Sequence, residues 1–473
     1  MSALQQLYNR LSKKELSSYE LTEVYLNRIT EENPSLGTYL TLCPEKALSQ
    51  AKEVDFRRVK GETLHPLAGI PMAVKDNFCT AGIPTTCASR MLRDFLPPYT
   101  ATCVRRLEEA GGVMLGKLNL DEFAMGATGE YSAYYPAVNP HDLDRMAGGS
   151  SSGSAASVAA DLAVYSLGSD TGGSVRLPAS FCGVVGMKPT YGRISRFGMI
   201  AFASSLDTVG IVTSSVYDSA MVLSVMAGAD PLDATCSTLP VPDYFHGIAA
   251  PLAGLRIGVP EEFFPEDLSA EVQKALQTVL DVYRSLGAVL VSLSLPVVED
   301  SLAVYHILSS AEGASNLSRY DGVRFGARAA GETSAEISRN TKEQFFGGEV
   351  KARMESGAAY LEEANMALYY RPAQAKQQFI KDSFRDAFQR VDLVFAPTAT
   401  CVAPASHGFT RGEKRAFDRF TVPASLAGLP SVSIPCKTED TLPIGFQLIA
   451  PHFREDLIFR AGHLYEKEVA SHA

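Results

Sequence analysis

The stretch 146–176, MAGGSSSGSAASVAADLAVYSLGSDTGGSVR, constrains the possible folds of this chain more than any other. Ser and Gly crowd both of its ends, and an apolar segment separates them. Gly/Ser density alone describes a flexible linker. A linker has no reason to carry the helix-compatible run 155–160 and then LAVYSL at 162–167, which reads as a buried strand. The pattern is two Gly/Ser turns at the ends of a helix–strand unit, an arrangement that holds hydroxyls and backbone N–H groups in fixed positions. A phosphate-binding loop is the rival reading. Against it, GGSSSGS lacks the lysine of G-x-x-x-x-G-K-[ST], and G-x-G-x-x-G is absent from the stretch.

Around this unit the hydrophobic pattern alternates between strand and helix. Strands are expected at 67–76, 113–116, 181–188, 209–213, 255–259, 289–293, 391–396, 431–435 and 444–449. Helices are expected after the capping-box pattern Ser17–Glu20 and at 44–58, 102–110, 215–227, 270–286 and 454–469, with a mainly helical region over 301–389. This order predicts an α/β protein: one large domain whose central mixed, mostly parallel sheet is covered by helices on both faces. Within it we expect an N-terminal helical segment (1–60), a core (61–227), a Pro- and Asp-rich loop or insertion (228–250) and a remainder (251–473) that completes the sheet and adds a helical region. Strands come from both ends of the chain, which favours one body over two.

The totals exclude several function classes. With 53 acidic against 43 basic residues the net charge is −10, so this chain alone is poorly suited to grip a nucleic acid backbone. Eight Cys without a C-x-x-C pair suggest reduced thiols, and eight dispersed His offer no metal-ligand spacing. The first residues have no signal-peptide apolar core and no apolar run reaches membrane-spanning length. The expectation is a cytoplasmic protein with no membrane contact.

The chemistry allowed by 146–176 is hydroxyl chemistry, and a serine nucleophile needs a base. His141, in NPHDLD, is the nearest histidine, and a surface role suits it better. The string 149–153, GSSSG, matches G-x-S-x-G in its letters, but no strand is expected ahead of it to make the strand-to-helix elbow. Lysine is the remaining candidate. A lysine among apolar residues loses solvation of its charged form and can accept a proton near neutral pH. Lys75 follows Met72, Ala73 and Val74, although a strand-end lysine turned to water is the ordinary reading. A relay Lys75–Ser150–Ser174 would deliver Ser174 to a substrate carbonyl. Thr171, Gly172 and Gly173 form a tight turn whose N–H groups can converge on an oxyanion.

PMAVKDN (71–77), GGSSSGSA (148–155) and GSDTGGSVRLPASFCGVVGMKPTYGRIS (168–195) resemble the amidase signature family. The resemblance implies a Ser–cis-Ser–Lys triad with Lys75 as base, Ser150 as bridge and Ser174 as nucleophile. It also implies an oxyanion hole at Thr171, Gly172 and Gly173 and a cis peptide before Ser150. One departure is visible: Ser152 stands where the family commonly has Gly, and we expect altered loop packing with retained catalysis. Further strings at 121–126, 196–207, 314–326 and 425–436 resemble the branch of the family that forms the glutaminase component of bacterial aspartyl/glutamyl-tRNA amidotransferases. That likeness implies an Arg and an Asp on the α-carboxylate and α-amino group of glutamine, falling at Arg353 and Asp418, with Tyr305 in the same pocket. Without it, Arg353 and Asp418 would read as solvated surface charges, and Arg176 reads as a charge bracing the loop. It further implies no cofactor in this chain, ATP and Mg on a tRNA-binding partner subunit, a second and smaller partner, and misacylated tRNA met through the complex. The alternatives are a free-standing amidase on small carboxamides and a non-catalytic assembly subunit.

Overall fold

The computed structural model describes residues 1–437 and 442–471. Its centre is an eleven-stranded mixed sheet. In chain order the strands are β1 (Tyr39–Leu42), β2 (Pro71–Lys75), β3 (Val113–Leu118), β4 (Tyr165–Asp170), β5 (Val185–Lys188), β6 (Thr208–Thr213), β7 (Arg256–Pro260), β8 (Val289–Leu293), β9 (Leu393–Pro397), β10 (Ser431–Pro435) and β11 (Gly445–Ile449). Their spatial order is β1-β3-β2-β4-β6-β5-β10-β11-β9-β7-β8. Parallel pairing joins β3, β2 and β4 on one flank and β9, β7 and β8 on the other, while antiparallel pairs run through the middle. Strands β2, β3, β4, β6 and β9 are buried at every position, as strands covered on both faces must be. The last strand on the far flank, β8, is partly exposed.

The helix–strand unit at the heart of the sequence is present, with shifted limits. The helix covers Ser152–Ala159 and the strand Tyr165–Asp170. Residues 162–164, expected to begin the strand, belong to the turn instead, in which Asp161 has φ +54°. Their apolar side chains are still buried, because Leu162 and Ala163 fill the core beneath the turn. The strand expected over 181–188 keeps only Val185–Lys188, since Arg176–Cys182 is a short helix closed by Gly183 at φ +70°. The edge strand β1 and the ribbon of Val138–Asn139 with Asp142–Met146 carry too little alternation to be read in advance. Capping at Ser17 is as expected: its side chain accepts from Glu20 N–H and the Glu20 carboxylate returns to Ser17 N–H.

Parallel pairing of β2 with β4, with Val74 opposite Leu167, brings the carboxyl ends of both strands to the same edge of the sheet. Lys75 ends one and Asp170 the other. Crevices outside strand carboxyl ends are where open α/β sheets place their ligand sites.

Candidate active site

Lys75 leaves β2 completely buried. Its Nζ lies 2.9 Å from each of three hydroxyls, Ser150 Oγ, Ser151 Oγ and Ser169 Oγ. Three partners match the three donors of an ammonium; a neutral amine would keep two and present its lone pair to the third. Burial pulls the amine down from 10.5 to about 7, opposed by the charges of Asp121, Asp170 and Asp207. Near neutral pH the two forms are thus close in population. Ser150 follows a cis Gly149–Ser150 peptide, and Ser150 O accepts Asp121 N–H at 3.2 Å. A Cβ at Gly149 would sit 2.0 Å from Asp121 Oδ2, so only glycine lets this turn close onto the carboxylate.

The second turn carries Ser174 and is clamped at its base. Asp170 accepts Val175 N–H at 3.2 Å and pairs with Arg176 through Nε and Nη2 at 3.0 and 2.9 Å. Although burial works the other way, Arg176 holds the Asp170 carboxyl below its usual range. Arg176 also donates to Thr421 O, Gln447 Oε1 and Ser425 Oγ at 2.7–2.9 Å, so every guanidinium nitrogen is engaged. Between the two charges, residues 171–174 are displayed as a tight turn. Thr171 Oγ1 donates to Asp207 Oδ1 at 2.7 Å, and the Gly172 carbonyl accepts Thr421 Oγ1 at 2.7 Å. The two turns meet back to back, with Ser151 N–H donating to the Ser174 carbonyl at 2.9 Å.

Tyr305, Arg353 and Asp418 come from three distant segments. Two of them close on the same turn. A Cβ on Gly172 would meet the Tyr305 ring at 2.6–2.9 Å, and one on Gly173 would lie 2.9 Å from Asp418 Oδ1. Tyr305 projects from the helix Val298–Leu317, Arg353 from the helix Gly348–Leu361. Those helices pack closely because Gly357 lies directly against the Ser310 carbonyl. Arg353 sits over the Phe202 ring at 5.6 Å and gives its Nε to Glu349 Oε1 at 2.8 Å. Among the described residues its Nη1 has no hydrogen-bond partner, and neither has Asp418 Oδ1. Burial and the neighbouring Asp170 push the Asp418 carboxyl up to about 7, against the pull of Arg353 and Arg176. Far from being solvated, both charges are buried. Cavities of about 800 and 390 Å³ elsewhere in the molecule contain none of these residues.

The sequence family described as Amidase matches residues 20–459. The chain belongs to the amidase family. It is 48% identical over 474 residues to the A subunit of glutamyl-tRNA(Gln) amidotransferase from Moorella thermoacetica, covering 99% of this chain and 96% of that protein. Among solved structures, the A subunit of glutamyl-tRNA(Gln) amidotransferase from Thermotoga maritima aligns with a TM-score of 0.80 at 36% identity, over 95% of this chain and 91% of the other. The peptide amidase of Stenotrophomonas maltophilia aligns at 0.84 and 31% identity, over 98% and 96%.

In this amidase several groups at the site were not anticipated from the sequence. Ser151 and Ser169 share Lys75 with Ser150; period-two alternation along β4 puts Leu167 and Ser169 on one face, a signal that the Gly/Ser content masks. Asp207, pushed up to about 6 by burial, orients Thr171, and Glu349 orients Arg353; both are ordinary acidic residues in the sequence, with no local pattern. His141 is remote from this chemistry: its Nε2 lies 3.0 Å from the Cys182 carbonyl. Ser152 is accommodated because its Cβ faces Gly129, where a second Cβ would lie 2.7 Å away. Among the described residues no cluster of His, Cys, Asp or Glu could hold a metal, and no helix is long and apolar enough to cross a membrane.

Proposed function

We propose that this chain is the glutaminase subunit of a tRNA-dependent amidotransferase. Neutral Lys75 accepts the Ser150 hydroxyl proton while Ser150 accepts that of Ser174, and Ser174 Oγ attacks the side-chain carboxamide carbon of glutamine. The oxyanion that forms is met by the N–H groups of the 171–174 turn, donors whose loss typically costs about 2.7–4 kcal/mol. Collapse of the tetrahedral adduct breaks the C–N bond, the relay returns a proton to the nitrogen, and ammonia leaves. Water then hydrolyses the γ-glutamyl ester and frees Ser174.

The observation that carries this reading is the pair of unpartnered buried atoms, Arg353 Nη1 and Asp418 Oδ1, the latter beside the Ser174 turn. A buried guanidinium nitrogen and a buried carboxylate oxygen left without partners are costly. A zwitterionic α-amino acid supplies a carboxylate for one and an ammonium for the other, leaving its side-chain amide to reach Ser174. A simple carboxamide needs neither charge. The relatives from glutamyl-tRNA(Gln) amidotransferases, at higher identity than the peptide amidase, support the same choice.

Ammonia would pass to a tRNA- and ATP-binding partner that also holds Mg and amidates misacylated Glu-tRNA(Gln), Asp-tRNA(Asn) or both, with a second small subunit completing a cytoplasmic complex. The net charge of −10 fits a chain that leaves tRNA to its partner. The test is Ser174→Ala in the purified complex. Glutamine-dependent amidation should vanish while ammonium still supports it; equal loss with both nitrogen donors refutes the assignment.

A further inference from the structure

Arg353 and Asp418 are opposite charges, both buried, and Arg353 forms its ion pair with Glu349 instead of Asp418. The arrangement around Arg353 explains why. Glu349, one helical turn earlier, takes Arg353 Nε at 2.8 Å on its Oε1. The same oxygen accepts Arg415 through Nη2 and Nε at 2.7 and 3.0 Å, and Oε2 faces Arg411 Nε at 3.2 Å. Arg411 and Arg415 belong to the short helix Arg411–Ala416, whose end lies two residues before Asp418. One carboxylate therefore ties the helix that bears Arg353 to the segment that bears Asp418. Three guanidiniums on one carboxylate also leave the cluster net positive, a standing attraction for an incoming carboxylate. The helix does not need Glu349 to hold its start, because Gly347 N–H is already taken by Glu122 Oε2 at 2.8 Å.

We propose that Glu349 is the positioning residue that fixes the spacing and orientation of the two charges in the glutamine pocket, and so confers selectivity for an α-carboxylate. By engaging Nε it aims the Nη1 edge of Arg353 at the pocket and keeps the guanidinium off Asp418. Through Arg415 it sets how far apart the cation and anion stand. This inference rests on the glutaminase reading of Arg353 and Asp418.

The experiment compares kcat and KM of the full-length chain, with its copurifying partners, for three carboxamides. These are glutamine, 4-aminobutanamide (glutamine without its α-carboxylate) and glutaramate (glutamine without its α-amino group). The wild-type protein should lose about ten- to a hundredfold in kcat/KM on removal of either group, the value of one charge-assisted contact. Glu349→Gln should raise the KM for glutamine about tenfold or more with kcat within about threefold, the signature of lost binding rather than lost chemistry. Its penalty for lacking the carboxylate should shrink while the penalty for lacking the amino group persists. Glu349→Asp, which keeps the charge, should recover part of the discrimination. Arg415→Gln removes the partly exposed arm and should shift selectivity the same way by a smaller factor. Uniform loss across all three substrates, or wild-type discrimination in Arg415→Gln and any soluble Glu349→Gln, overturns the proposal. Failure of the wild-type protein to discriminate glutamine from 4-aminobutanamide sinks the reading of Arg353 instead.

Discussion

Replacing Lys75 with methionine should inactivate the protein and stabilise it. The side chains are similar in length and Lys75 is entirely buried, so the swap removes a titrating amine with little change of shape. Burial lowers the amine from 10.5 in a free chain to about 7 in the fold. Between those values the unfolded chain holds a proton that the folded one releases, so wild-type stability rises with pH across that window. At pH 7 the displaced equilibrium costs about 4 kcal/mol, falling to about 2 kcal/mol at pH 9 and vanishing beyond 10.5. Methionine removes this cost but takes a partner from three hydroxyls. Ser151 and Ser169 keep others, namely the Ser169 carbonyl and the Asn77 amide, whereas Ser150 Oγ loses Lys75. One orphaned buried hydroxyl takes back about 1–3 kcal/mol, leaving a net gain of about 1–3 kcal/mol at pH 7. Urea midpoints of both proteins at pH 7 and pH 9 measure it, and glutaminase activity should be absent at either pH. Lys188, also buried and lowered to about 7, cancels because both proteins contain it. An advantage that is absent at pH 7, or does not shrink by pH 9, would refute a lysine poised to give up its proton.

The same amine predicts a kcat for glutamine that climbs about tenfold per pH unit below 7 and levels off above it. If Asp418, raised to about 7, holds the substrate ammonium it must be ionised, and kcat/KM should then climb more steeply, toward a hundredfold per unit. Asp418→Asn should raise KM and return that slope to about tenfold; an unchanged slope would separate Asp418 from substrate binding. Arg176→Met should destabilise by about 3–5 kcal/mol, the cost of removing one partner of a buried pair, as read from the shift in urea midpoint. A loss under about 1 kcal/mol would mean that the Asp170–Arg176 clamp is dispensable.

The sheet and the triad candidates were legible because their signals are local. Lys75 ends an apolar strand, and Ser150 and Ser174 stand in turns spelled out by consecutive glycines and serines. Boundaries were less legible where a turn uses apolar residues, as at 160–164, and where a short helix interrupts a strand-like run, as at 176–182. For Arg353, Asp418 and Tyr305, hydrophobic patterning carries no message at all. They lie on helices and a connecting segment far apart in the chain, and only tertiary packing brings Tyr305 against Gly172 and Asp418 against Gly173. Resemblance supplied those three; composition would have left the two charges in solvent. Glu349 escaped both routes, since its importance lies in which arginines surround it.

Arg176 and Arg353 show what separates a brace from a binding group. Both guanidiniums are buried, and both face an acidic residue. Arg176 has all its nitrogens engaged, by Asp170, Thr421, Gln447 and Ser425, so nothing remains for a ligand and its charge serves only to lock the Ser174 turn. Arg353 is held by one nitrogen, its Nη1 stays bare, and so does Asp418 Oδ1. Natural folds satisfy buried polar atoms almost everywhere, so two such atoms, one on each of two opposite charges, fit a place where stability has been given up for something outside the chain. The lowered Lys75 amine lies in the same cluster and carries the same kind of cost. Charge satisfaction, more than residue type or burial, therefore divides this site into the part that holds its shape and the part left open to a ligand.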